Sequence, residues 1–65
     1  MGVVRMENKL LEAFNEMERT TYDSVSGIKA DGYTRADIFT AYLEYEGIIG
    51  YASEILRMLE IIDQA

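Results

Sequence analysis

The four residues Thr34-Arg35-Ala36-Asp37, set between Tyr33 and Ile38, mark the start of a helix. The Thr34 hydroxyl is placed to accept from the Asp37 N–H and the Asp37 carboxylate from the Thr34 N–H, a capping box with Asp standing for Glu or Gln. Tyr33 and Ile38 fall at N′ and N4, the two positions of a hydrophobic staple. From Ile38 onward, apolar residues recur at steps of four and three through Tyr42, Tyr45, Ile49, Ala52, Leu56 and Leu59, which is a heptad seam. Ala41, Ile48, Ile55 and Ile62 form a second column beside it. Gly47 and Gly50 each cost about 1 kcal/mol inside a helix, yet the seam keeps its phase across them. A second helix over about 34–63 is therefore expected, with a break near Gly47 as the alternative.

Upstream, Met6, Leu10, Phe14, Met17, Thr21 and Ile28 share one helical face, while Glu12, Glu16, Arg19 and Asp23 turn away from it. That pattern predicts a first helix over about 4–26, stopping at Gly27 or at Asp31-Gly32, where glycine supplies the left-handed conformation. A short connection makes consecutive helices antiparallel neighbours. The expected fold is all-α, a single domain over 1–65. It is an antiparallel helical hairpin that dimerises into a four-helix bundle, or alternatively a three-helix monomer broken near Gly47. The dimer expectation rests on area: the first helix has one apolar stripe with which to cover two. Ile48, Ile55, Ile62, Tyr45 and Ala52 are the candidate oligomer interface.

Composition narrows the chemistry. The chain has neither Cys nor His, which removes disulfides, thiolate nucleophiles, the usual zinc sites and imidazole-based triads. Glu12 and Glu16 lie one turn apart, but a helix-bundle di-iron site needs Glu-x-x-His pairs. No Gly-rich phosphate loop or calcium ladder is present, and no Tyr has a base beside it. No catalytic, metal or cofactor-binding residue is assigned, and a non-enzymatic protein is expected. No apolar run reaches the roughly 20 residues that span a bilayer, so an intracellular, cytoplasmic protein without membrane contact is expected.

Twelve acidic residues against six basic ones give a formal net charge of −6. Residues 1–30 carry −1 of this and residues 31–65 carry −5, so the C-terminal half should repel phosphate. Thr34-Arg35-Ala36-Asp37-Ile38 resembles the opening of the first helix of a helix-turn-helix unit. Phe39 and Leu43 then stand where that motif has a small residue and a turn glycine, and the following helix offers Glu44, Glu46 and Glu54. On a continuous second helix, Gly47 and Gly50 leave a shallow depression rimmed by Leu43, Tyr51, Glu54 and Met58. Exposed Tyr and Met beside missing side chains suit a docking groove for a partner helix.

In size, acidity and hairpin layout the chain resembles small plasmid and phage regulators that work as four-helix dimers, an architectural likeness without a shared motif. It implies a homo-oligomeric regulator or inhibitor of a partner protein, bound mainly through apolar contacts. An acidic mimic of nucleic acid, blocking a DNA- or RNA-handling enzyme, is the alternative. Charge density weighs against it. Five carboxylates from Glu44 to Asp63 give one per roughly 6 Å of helix, against one per about 1.7 Å of duplex DNA. A degenerate helix-turn-helix DNA binder is a minor alternative.

Overall fold

A computed structural model of the chain describes residues 2–47 and 52–65, and side chains over 5–47 and 53–65. Among the described residues four helices follow one another: α1 (Gly2–Glu18), α2 (Val25–Ala30), α3 (Arg35–Glu46) and α4 (Ala52–Gln64). No strand occurs among the described residues. α1 and α3 form the central pair, α4 packs across both, and α2 closes the end near the α1 terminus.

α1 stops eight residues before the expected boundary, and no glycine stops it. Arg19 adopts the left-handed conformation at φ 58°, and Thr20 N–H returns to the Asn15 carbonyl at 3.0 Å, the long bond of a Schellman cap. Asn15 then holds the exiting chain with both ends of its amide. Its Nδ2 donates to the Tyr22 carbonyl at 2.9 Å, and its Oδ1 accepts from Tyr22 N–H at 3.0 Å and from the Thr20 hydroxyl at 2.8 Å. Ser24 begins α2 by accepting from Gly27 N–H at 3.0 Å, which lets Val25 and Ile28 enter the core three positions apart. Gly32, at φ 102°, turns the chain out of α2 into the connection to α3. The Thr34–Asp37 capping box forms in both directions, at 3.2 and 2.9 Å.

The continuous second helix does not form. Gly47 takes φ 66°, and its N–H closes α3 on the Leu43 carbonyl at 2.9 Å. This left-handed cap favours glycine because a Cβ there costs about 1–2 kcal/mol. Gly47→Ala should accordingly lower stability by about 1 kcal/mol, whereas in an unbroken exposed helix it would raise it. Arg19→Gly should do the reverse, gaining up to about 1 kcal/mol on the same grounds. Urea midpoints of the two variants against the native chain check both signs at once.

The break also turns the expected seam around. Within α4 the buried positions are Met58 and Ile62, both at 0% exposure, while Leu56 is 67% exposed. Ile62, expected to need a second hairpin, is covered within the chain, and Ile55 is half-buried. The core joins Leu10, Ala13 and Phe14 of α1 to Val25 and Ile28 of α2, Ile38, Ala41 and Tyr42 of α3, and Met58 and Ile62 of α4. The radius of gyration is 10.6 Å, close to the roughly 11 Å of a compact chain of this length. One copy thus closes its own core.

Two long cationic side chains fasten the end of α4. Lys29 Nζ donates to the carbonyl of Ile62 at 2.7 Å, with the carbonyls of Asp63 and Ala65 at 3.4 Å. A positive charge there meets the orphan acceptors and the negative end of the helix dipole. Arg35, at the start of α3, pairs with the Asp63 carboxylate at 2.8 Å.

Candidate interaction surface

Phe14, Tyr22 and Tyr33 meet edge to face, with centroid separations of 5.9, 4.9 and 6.4 Å. The Tyr22 hydroxyl donates to the Asp31 carboxylate, which holds the phenol proton and pushes its pKa up to about 12. Tyr45 is also raised, first by the nearby charge of Glu12 and then by burial, by a hydrogen bond to Glu12 at 3.4 Å and by Glu16 and Glu46. Tyr42 is raised chiefly by burial. An elevated folded pKa means the native state holds the proton more tightly than the unfolded chain. The stability these phenols contribute is thus complete below the unfolded value near 10 and falls as pH rises towards 12. Denaturation midpoints between pH 9 and 12 should decline, and less steeply in Tyr22→Phe.

The carboxylates around Tyr45 are one of two acidic groups carried by the α1–α3 pair. On its α1 side stand Glu12 and Glu16, one turn apart, with Glu46 from the end of α3 close enough to act on the same phenol. Further along, Glu18, Asp37 and Glu44 line an open cleft of about 290 Å³ with Tyr33, Ala36, Thr40 and Ala41. These six carboxylates equal the whole net charge of the chain. The other six acidic residues are matched in number by its six basic ones, and among the described residues Lys9 pairs with Glu54 at 3.9 Å and Arg35 with Asp63. Among the described residues no three carboxylates converge closely enough to hold a metal ion, so the surface is a spread field rather than a chelate. Met17 and Tyr45, 41% and 39% exposed, are the large apolar side chains left open on these two helices among the described residues.

The residues expected from the sequence to bind a partner are dispersed. Met58 is fully buried, Leu43 is packed against the core, and Glu54 is half-buried and paired with Lys9. Gly47 is the α3 cap, while Gly50 and Tyr51 lie outside the described residues. The depression required an unbroken helix, and the left-handed turn at Gly47 removes it. Of the expected oligomer interface, Tyr45 is exposed beside Glu12, Ile55 is half-buried, Ile62 is in the core, Ala52 opens α4, and Ile48 lies outside the described residues. Sequence reasoning missed the acidic face because it joins Glu12, Glu16 and Glu18 to residues more than 18 positions away. Glu12 and Glu16 at i, i+4 were its only local sign.

No known protein family, curated protein or solved structure matches the chain. No described helix is long and apolar enough to cross a membrane.

Proposed function

We propose that the chain is a small non-enzymatic interaction module, a regulator or inhibitor that docks the acidic α1–α3 face onto a protein with a basic surface. The supporting observation is segregation: six carboxylates equal to the net charge are carried by α1 and α3, three around Tyr45 and three lining the cleft, and the same two helices expose Met17 and Tyr45. Apolar anchors in a charged surround divide the work of binding. Buried aromatic and thioether contacts hold the complex, while the field steers the encounter and sets its salt dependence. An intracellular setting and a homo-oligomeric state belong to the same reading.

The acidic face also favours a second reading, an acidic mimic that occupies the nucleic-acid site of a DNA- or RNA-handling enzyme. Direct DNA binding through α3 finds no support, since that helix presents Asp37, Glu44 and Glu46 and a groove binder must neutralise phosphates. The test is capture of a partner from host extract by the immobilised protein, repeated with two variants. Met17→Ala combined with Tyr45→Ala should lose most of the captured protein. Glu12→Lys, Glu16→Lys and Glu44→Lys together should slow association and flatten the salt dependence. Capture unaffected by either variant excludes this face. Release of the partner by duplex DNA or RNA, with the apolar variant still binding, favours the mimic.

A further inference from the structure

The break at Gly47 leaves on the outside of α4 a strip that the sequence spaces for helix pairing. Leu56 and Leu59 stand three positions apart, one of the two steps of a heptad seam. Leu56 is 67% exposed, and Leu59 and Ile55 beside it are half-buried. The strip lies on the side of α4 nearer α3, because Asp63, one turn past Leu59, reaches Arg35. It carries little net charge. Glu54 and Asp63 have their cationic partners in the same chain, which leaves Arg57 and Glu60 as the exposed pair.

We infer that a second copy of this chain docks here, α4 against α4, antiparallel about a two-fold axis between Arg57 and Met58. The inference does not rest on the acidic face. In that register Leu56 of one copy lies opposite Leu59 of the other, since both are equally far from the axis. Arg57 comes within a turn of the other copy's Glu60, and the symmetry makes that contact twice. A strongly acidic or basic partner finds no excess charge to match, whereas this strip is complementary to itself. The alternative self-contact, acidic face on acidic face, would set six carboxylates against six. Docking through α4 leaves both acidic faces free, so the dimer is bivalent.

Sedimentation equilibrium tests the arrangement. The native chain should show twice 7.4 kDa at tens of micromolar, in 1 M NaCl as in low salt. Leu56→Glu, at an exposed position, should keep its helical circular dichroism and raise the dimer dissociation constant at least about 30-fold. Arg57→Glu should weaken the dimer several-fold, and adding Glu60→Arg should restore it. A native chain that stays monomeric at 500 µM overturns the inference, as does a Leu56→Glu variant that still dimerises. Failure of the double charge exchange to restore association overturns the antiparallel register. The Glu12, Glu16 and Glu44 to Lys variant should dimerise normally, so loss of partner capture and loss of the dimer are separable results.

Discussion

Phe14→Ala should cost the protein about half of its stability or more. The ring is fully buried and joins α1 to the connections on either side of α2, edge-on to Tyr22 at 5.9 Å and to Tyr33 at 4.9 Å. Truncating such a ring costs about 3–5 kcal/mol through lost transfer energy and the cavity left behind. A chain of this length has roughly 3–10 kcal/mol in total, so the loss consumes most of the margin. The two tyrosines cannot collapse into the gap freely, because Tyr22 is held at its backbone by Asn15 and at its hydroxyl by Asp31. Urea titration followed by circular dichroism should show the midpoint falling to about half of its native value or lower. A loss below 1 kcal/mol would mean that core stability lies elsewhere than in this ring cluster.

Asn15→Asp is expected to cost about 2–3 kcal/mol, although it changes one atom. The amide satisfies a donor and an acceptor of the same residue, taking the Tyr22 N–H on Oδ1 and giving Nδ2 to the Tyr22 carbonyl. A carboxylate keeps the first bond and replaces the second with an oxygen facing an oxygen. The melting temperature should fall by roughly 10 °C or more, at 4–8 °C per kcal/mol for a domain of this size. The deficit should shrink as pH drops below about 4, where the acid is protonated and can donate again. Asn15→Asp that melts like the native chain at pH 7 would show that the clamp is not needed to stop α1.

What could be read from the sequence is what depends on neighbours in the chain. The capping box from Thr34 to Asp37 is such a feature, because four consecutive residues contain both of its hydrogen bonds. A helix end at Asp31-Gly32 is another, although the sequence offers it as an alternative end of the first helix and the structure makes it the end of the separate α2. Arg19 carried no mark of its left-handed backbone, since that conformation is imposed by the Schellman bond to Asn15 and by the clamp on Tyr22. Gly47 was visible as a candidate break and was outweighed by an unbroken seam. That seam was misleading for a physical reason. Two helices folded onto one core each need an apolar stripe, and the stripes can fall in phase although different residues of the second helix face inward. Leu56 and Met58 therefore exchanged places, the one turned out and the other in. The acidic face and the grip of Lys29 on α4 join residues far apart in sequence. Neither can be read from a window of the chain.

The position of α4 has a consequence for what holds the other helices together. Met58 and Ile62 contribute to the core from α4, and the carbonyls that receive Lys29 lie at its end. With α4 lifted away, Leu10, Phe14, Ile38 and Tyr42 form a surface with one side uncovered, and the Lys29 ammonium loses its acceptors. The other helices can assemble but cannot seal. Any opening that detaches α4 therefore exposes apolar surface to chaperones and unwanted contacts.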